Sequence, residues 1–307
     1  ELTLHYGLVP RTNRGIFAIN ELPDLSERIQ VGLLNVLEER DVQIRGYKIR
    51  LPLDVLLVAS ANPEDYTNRG RIITPLKDRF GSQIRTHYPL EVETEIAIMR
   101  QEARPPSIGD VKVTMPPFME RVIATFSQEA RASAHVNQRS GVSVRLSVAN
   151  YEILCANAVR RALRAGEREV APRVSDLESL AASTGGKVEV ESVEEGRESQ
   201  ILQQLVRASV LDAFKFATAG TSLAEVVAAF EGGAIVHVGE DVPSSELVAL
   251  AQQIPALQGP IAKVTGGDSS AAVVASAVEF ILEGLHLSRR LNKDASGARA
   301  TYRSKAV

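Results

Sequence analysis

Two short apolar stretches, each running into polar residues, constrain the fold of this chain most strongly. The first, residues 16–20, ends in Asn20-Glu21, and the second, residues 54–60, ends in Ala61-Asn62-Pro63. Short continuous apolar runs are typical of buried parallel strands. Open α/β sheets place their ligand chemistry at the carboxyl ends of such strands. The two stretches therefore predict an α/β core with a functional site beyond the strand ends.

A basic residue follows these stretches in the sequence Asp78-Arg79-Phe80-Gly81. In nucleotide hydrolysis a carboxylate can orient the attacking water, and a cation can stabilise the charge that develops on the phosphate. A strand ending in an acid, a strand ending in an amide and a later arginine supply these groups. This order of residues indicates a nucleotide-hydrolysing core.

At these residues the chain resembles the AAA+ ATPases of the MoxR and magnesium-chelatase ATPase-subunit group. The resemblance implies that residues 16–21 form the Walker B strand, residues 56–62 the sensor 1 strand, and residues 75–81 the segment with the arginine finger. A hairpin predicted over residues 42–53 lies where that group has an insertion before sensor 1. The resemblance extends from residue 7 to about residue 185, and the order of several motifs makes it specific.

The resemblance assigns catalytic roles to three of these residues. Glu21 would polarise the attacking water, Asn62 would act as sensor 1, and Arg79 would act on ATP bound to the adjacent subunit. Simpler structural roles remain open for each. Glu21 could cap the next helix, Asn62 could cap a turn at the strand end, and Arg79 could form a surface ion pair with Asp78 or nearby acids.

Two further positions complete the expected nucleotide site, with ATP and Mg²⁺ as cofactors. Arg145, in the sequence SGVSVRL, resembles the nucleotide-binding arginine of sensor 2. A cation in the first turn of a helix opposes the helix dipole, which favours a ligand-facing role. Asn20 departs from the family, which has aspartate where the water shell of Mg²⁺ is held. An amide lacks that charge, so the affinity for Mg²⁺ should fall.

The phosphate cradle of an ATPase, G-x-x-x-x-G-K-[ST], does not occur in this sequence. In the family the cradle precedes the Walker B strand. We therefore expect the chain to be the C-terminal portion of a longer protein and to be inactive in ATP hydrolysis by itself. A degenerate relative that does not bind ATP is the alternative.

Hydrophobic periodicity predicts an α/β part followed by an α-helical part. Helical patterns follow one another after residue 90, as in the lid of AAA+ proteins, and a polar acidic stretch separates them from a further, mostly helical region. The predicted organisation is a partial P-loop-type α/β core over 1–89, a helical lid with sensor 2 over 90–185, a linker over 186–198, a mostly helical accessory domain over 199–292 and a disordered tail over 293–307.

Composition bears on the binding partners and the cellular location that we expect for this chain. Its 307 residues carry a net charge of −3, which gives no support to sequence-independent nucleic-acid binding. The single cysteine, Cys155, excludes an intrachain disulfide and lies in an apolar helical pattern that favours a buried, inert thiol. No apolar run is long enough to span a membrane. These features predict a cytoplasmic protein.

The function expected from the resemblance is a chaperone-like ring ATPase, with six subunits, that remodels or assembles a partner protein. Chelatase-type metal insertion is a narrower form of the same hypothesis. A DNA motor similar to the minichromosome-maintenance helicases is an alternative, since Arg45, Lys48 and Arg50 surround the hairpin tip. A non-catalytic nucleotide-sensing scaffold is another, because of Asn20 and the missing cradle. Activator ATPases of alternative sigma factors are less similar around Arg79.

Overall fold

The computed structural model divides the chain into two compact units, Glu1–His87 and Tyr88–Val307. The sequence predicted this division two residues later, after Pro89. The part of the chain that the structure describes comprises residues 5–43, 50–62, 71–137, 141–189, 196–297 and 299–305.

A pair of parallel strands organises the first unit. Strand β1 (Gly15–Ile19) pairs with β4 (Val55–Ala59), with Ile19 opposite Ala59 at their carboxyl ends. Both strands lie where the sequence predicted them. One face of the pair packs on helices α2 (Glu27–Glu38) and α3 (Thr74–Arg79) through a cluster that includes the buried leucines 22, 33 and 76. A short helix α1 (Leu8–Arg11) precedes β1.

The opposite face of this strand pair is apolar and exposed. Ile16, Leu56 and Val58 retain 66%, 62% and 49% of their accessible surface. Parallel sheets in α/β proteins are normally covered on both faces, and their strands are apolar on both sides for that reason. The first unit thus presents a sheet face of the composition that α/β folds usually bury.

The hairpin predicted over residues 42–53 is confirmed at its two strands. Strand β2 (Asp41–Gln43) pairs antiparallel with β3 (Arg50–Pro52), with Val42 opposite Leu51. The tip at Gly46-Tyr47, with Arg45 and Lys48, lies outside the described residues, whereas Arg50 begins β3 and its Nε lies 3.6 Å from Oδ2 of Asp41.

The second unit is largely helical, as its periodicity predicted. Residues 174–179 and 255–257 form 3-10 helices, and β5 (Lys112–Val113) pairs with β6 (Glu169–Val170) in parallel. The α-helices of this unit are α4 (Val92–Glu102), α5 (Pro117–Ala132), α6 (Val144–Ala165), α7 (Leu180–Thr184), α8 (Arg197–Ala217), α9 (Ala224–Glu231), α10 (Ser244–Gln253), α11 (Gln258–Thr265) and α12 (Ala271–Leu287).

One hydrophobic core runs through this unit, across the predicted boundary between lid and accessory domain. Phe118 of α5 stacks on Phe280 of α12 with ring centroids 4.7 Å apart, and Phe214 of α8 meets Phe280 edge-on at 6.0 Å. In the predicted linker, Val188 is buried, α8 already begins at Arg197, and residues 190–195 lie outside the described part. The two predicted domains thus share a single core.

A network of buried charges also joins these two parts. Arg161 of α6 donates from Nη2 to Oδ2 of Asp176 at 3.1 Å, and the same oxygen accepts the backbone N–H of Arg173 at 2.8 Å. The Arg173 side chain is fully buried, lies 3.7 Å from Oε1 of Glu279 on α12, and donates from Nη2 to Oγ of Ser244 at 2.6 Å. The network links α6, α10 and α12 through groups withdrawn from solvent.

The prediction of a disordered tail over residues 293–307 is wrong. Strands β8 (Leu291–Ser296) and β9 (Arg299–Ser304) form an antiparallel hairpin, and β9 also pairs with β7 (Val236–Gly239). The tail has few apolar residues, but Tyr302 is 1% exposed and its hydroxyl donates to the Glu283 carboxylate. Pairing with a distant strand and one buried ring order a segment whose own composition favours disorder.

Candidate active site

The carboxyl ends of β1 and β4 meet through Ser60, the first residue after β4. Its hydroxyl donates a short hydrogen bond to Oδ1 of Asn20, and its Oγ accepts the backbone N–H of Glu21 at 3.3 Å. Its backbone also joins the strands, because its N–H donates to the carbonyl of Ile19 at 2.9 Å and its carbonyl accepts the N–H of Leu22 at 2.9 Å. Ser60 therefore sets the conformation of Asn20 and Glu21, the first two of the predicted site residues.

Glu21 adopts a left-handed backbone conformation with φ of 52°. For a residue with a side chain this conformation costs about 1–2 kcal/mol, and such outliers cluster at functional sites. Its carboxylate is exposed and makes no capping hydrogen bond to the following 3-10 helix, where Leu22 and Pro23 are buried. The capping role considered for this residue is thus absent, and the carboxylate projects from the end of β1 into solvent.

Two amide side chains accompany this carboxylate. Asn20 accepts the Ser60 hydroxyl, which leaves its oxygen with further acceptor capacity. Asn62 lies just beyond β4 and is exposed. Carboxylate and amide oxygens are the donor type that Mg²⁺ takes, and Mg²⁺ commonly keeps several waters and uses only one or two protein ligands. The oxygens of Glu21 and Asn20 fit such a sparse ligand set.

Arg79, the last residue of α3, is held by an acid on α2. Its Nε donates to Oε2 of Glu38 at 2.7 Å and its Nη2 approaches the same oxygen at 2.5 Å, while Nη1 donates to the carbonyl of Pro75 at 2.9 Å. The structural alternative considered for Arg79, a surface ion pair with Asp78 or a nearby acid, is thus present, with Glu38 as the acid. With 29% of its side chain exposed, the guanidinium lies at the surface of its unit.

Arg145 belongs to the second unit, unlike the other four residues. It is exposed in the first turn of α6, where its backbone N–H donates to Oγ of Ser143 at 3.2 Å. The segment before α6 is fixed by Arg131, whose Nε donates to the carbonyl of Val142 at 2.9 Å. Arg131 is itself paired with Glu95, a fully buried carboxylate, at 2.6 and 2.8 Å.

The described residues contain no group of three or more histidine, cysteine or acidic side chains able to hold a metal ion. Within that same part of the chain, no helix is both long and apolar enough to cross a membrane. Cys155 is buried, and burial raises the pKa of its thiol to about 12, which agrees with the inert role expected from the sequence.

A family model matches the first unit. Residues 3–79 match the model described as the sigma-54 interaction domain, which belongs to the AAA+ ATPases. This segment contains both strand ends and finishes at Arg79. The match covers about a quarter of the chain and includes none of the second unit.

Curated relatives of this chain are magnesium-chelatase subunits. The magnesium-chelatase 38 kDa subunit of Cereibacter sphaeroides is 37% identical over 95 residues, which are 30% of this chain and 27% of that protein. The corresponding subunit of Rhodobacter capsulatus is 37% identical over 97 residues, and the subunit ChlI of Guillardia theta is 35% identical over 100 residues. The chain thus spans 27% of the length of these relatives.

A crystal structure from Cytophaga hutchinsonii, of a protein described as a candidate ATPase, aligns with 62% of this chain and 64% of its own. Its identity is 18% and its TM-score 0.25, a value that establishes no common fold. The sequence matches carry the assignment. They show that residues 3–79 are similar to a domain of the AAA+ ATPases and that about 30% of the chain is similar to magnesium-chelatase subunits.

Proposed function

We propose that this chain supplies part of the ATP-hydrolysing module of a ring-forming AAA+ ATPase, similar to MoxR proteins and magnesium chelatases, that remodels or assembles a partner protein. In this proposal Glu21 polarises the attacking water and Asn20 contacts the water shell of Mg²⁺. Asn62 acts as sensor 1, Arg79 contacts the ATP of the adjacent subunit, and Arg145 contacts the nucleotide as sensor 2. The ring would contain six subunits.

The junction of the two strand ends at Ser60 carries this proposal. Parallel pairing of β1 with β4 brings Asn20 and Glu21 beside the segment that leads to Asn62. The Glu21 carboxylate makes no capping bond, although its backbone is held in a strained conformation. A catalytic base is expected to have a free carboxylate at a strained strand end. The Glu21 carboxylate, which makes no capping hydrogen bond, fits this expectation.

ATP binding in this proposal needs a phosphate cradle that the sequence does not contain. The exposed apolar face at Ile16, Leu56 and Val58 supports the view that further strands and helices complete the α/β core. Without them the chain should not hydrolyse ATP. In the complete protein the cradle would hold the β- and γ-phosphates beside Glu21.

The ion pair between Arg79 and Glu38 is compatible with a role in trans. Pairs at the surface contribute about 0.2–1 kcal/mol, because solvent screens them. An arginine finger contributes a factor of about 10³–10⁵ in rate, which is about 4–7 kcal/mol of transition-state stabilisation. Exchange of Glu38 for a phosphoryl group on a neighbouring subunit therefore costs little compared with what the contact supplies.

The proposal is tested by measuring ATP turnover in a longer protein that contains both this chain and a phosphate cradle. Arg79→Ala should reduce turnover by at least about 10³-fold. Arg28→Ala, which removes an exposed arginine of α2, is the matched control and should leave turnover unchanged. Turnover per subunit should rise with protein concentration as rings assemble. Equal loss of activity in both variants, or none in either, would contradict the role of Arg79.

Asn20 favours a second candidate, a nucleotide-sensing scaffold that does not turn over ATP. The amide lacks the charge that the family uses near Mg²⁺. In the same assay, Asn20→Asp should raise turnover modestly if the natural protein is an ATPase. An inactive natural protein that gains turnover only with Asn20→Asp would favour the scaffold.

A further inference from the structure

A groove of about 540 Å³ lies in the second unit, between the end of α8 and the end of α12. Its volume is in the range of ligand-binding clefts, and it is remote in sequence from every residue of the proposed ATPase site. Apolar side chains form its floor and hydroxyl groups and cations surround them. The lining residues are Leu211, Phe214, Lys215, Thr218, Thr221, Leu223, Leu287, Ser288, Arg289 and Arg290.

The charged residues of this groove are all cations. Lys215, Arg289 and Arg290 are exposed, and none of them forms an ion pair with another described residue. Lys305 adds a fourth cation, since its Nζ donates to the carbonyl of Arg289 at 3.3 Å. No carboxylate belongs to the lining. In a chain with a net charge of −3, this is a local concentration of uncompensated positive charge.

Several exposed arginines elsewhere in the same unit do pair with acids. Arg299 pairs with Asp241 at 2.5 Å, and Arg303, two residues before Lys305, pairs with Asp294 at 2.7 Å. The cations of the groove have no such partners, so their repulsion is relieved only by solvent and counter-ions. An anionic ligand would relieve it by direct contact.

The backbone at the end of α12 gives no reason for an arginine at position 289. The helix ends in a Schellman motif, in which Arg289 N–H donates to the carbonyl of His286 at 2.8 Å and Arg290 N–H to that of Leu285 at 2.9 Å. Arg289 has φ of 60°, the left-handed conformation in which glycine is favoured. An arginine at this position supplies charge to the groove against the local backbone preference.

We propose that this groove binds an acidic peptide segment of a partner protein. An apolar side chain of the segment would lie on the floor formed by the partly exposed Leu211 and Leu287, and its flanking carboxylates would pair with Arg289 and Arg290. Apolar contact at the centre and charge at the rim is the usual anatomy of a peptide site. Nucleic acid fits less well, because single-strand sites present exposed aromatic rings, whereas Phe214 is 3% exposed.

Fluorescence anisotropy with the full chain tests the proposal. The probe is a labelled synthetic peptide of eight residues, in which six glutamates flank one leucine and one phenylalanine. A second peptide replaces each glutamate by glutamine, and a labelled oligothymidine provides a nucleic-acid probe. The acidic peptide should bind, the glutamine peptide should bind at least about tenfold more weakly, and added salt should weaken the binding of the acidic peptide.

A pair of charge-matched variants locates the binding. Arg289→Glu/Arg290→Glu should weaken peptide binding by at least about tenfold, whereas Arg168→Glu/Arg207→Glu, which reverses two exposed arginines outside the groove, should leave it within about twofold. Equal effects of the two variants, or no binding of the acidic peptide, would overturn the proposal. Tighter, Arg289-dependent binding of oligothymidine would replace it with a nucleic-acid site. Each result is independent of ATP turnover.

Discussion

Replacement of Arg289 by glycine should stabilise the second unit. The left-handed conformation costs a residue with a side chain about 1–2 kcal/mol, and glycine removes that cost. Glycine also adds roughly 0.5–1 kcal/mol of conformational entropy to the unfolded chain, which opposes the gain. The balance is an increase of about 0–1.5 kcal/mol in the free energy of unfolding. The hydrogen bonds of the Schellman motif come from the backbone and are retained.

Arg290→Gly is the matched control for this prediction. Arg290 is also exposed and carries the same charge near the end of α12, but its φ is not positive. It should lose roughly 0.5–1 kcal/mol through the entropy term alone. The two variants should therefore differ by about 1–2 kcal/mol, because the entropy and charge terms cancel between them. Arg289→Ala should give no such gain, since alanine keeps the left-handed strain.

Thermal unfolding followed by circular dichroism at 222 nm measures this difference. For a unit of about 150–250 residues, 1 kcal/mol changes the midpoint by about 2–4 °C. Arg289→Gly should thus melt several degrees above Arg290→Gly. Equal melting temperatures would refute the argument that the backbone at position 289 is strained. Arg289→Gly should also weaken binding of the acidic peptide, so that stability and binding change in opposite directions.

Buried groups and the pair of Arg79 give the remaining predictions. Arg173→Met should lower the free energy of unfolding, measured by urea denaturation, by about 3–5 kcal/mol because Glu279 is left buried without its cation. The double variant Arg173→Met/Glu279→Leu should recover most of that loss. A double variant as unstable as the sum of the two single variants would contradict this. Burial raises the pKa of Glu279 above 4.5, so the folded state holds this proton more tightly than the unfolded state does. The free energy of unfolding should therefore fall as pH rises from 4.5 through the folded-state pKa, and Glu279→Gln should make its pH dependence flatter in this range. Because burial raises the pKa of Cys155 to about 12, a thiol reagent should label it only upon unfolding. Glu38→Gln should change the free energy of unfolding, measured by thermal denaturation, by less than about 1 kcal/mol, as expected of a surface ion pair.

Local sequence patterns predicted the regular elements of this chain well. The strand expected over residues 16–20 is found at Gly15–Ile19, and the helix expected over residues 144–164 is found at Val144–Ala165. In both cases the periodicity of apolar residues lies within the element itself. The same patterns wrongly predicted disorder at the end of the chain. Its order depends on pairing with β7, some sixty residues earlier, and on the burial of Tyr302.

The sequence could not predict the hydrogen-bond and ion-pair partners of the site residues that come from other strands and helices. Ser60 joins Asn20 and Glu21 from a different strand, and a small hydroxyl residue next to an apolar run carries no distinctive signal. Glu38 pairs with Arg79 from another helix, although Asp78 is adjacent in sequence. Such pairings depend on tertiary geometry. The strand-end position of Asn20 and Glu21, by contrast, follows from the pattern of the strand alone.

The buried charge network connects α6 and α12 of the second unit. Arg161 on α6 and Glu279 on α12 are connected through Asp176 and Arg173, and separating these helices would strand charges that no water reaches. If the network stays intact, a displacement at the start of α6, where Arg145 lies, would move α12 as well. The far end of α12 carries Arg289. The groove beside Arg289 would then change position together with the start of α6.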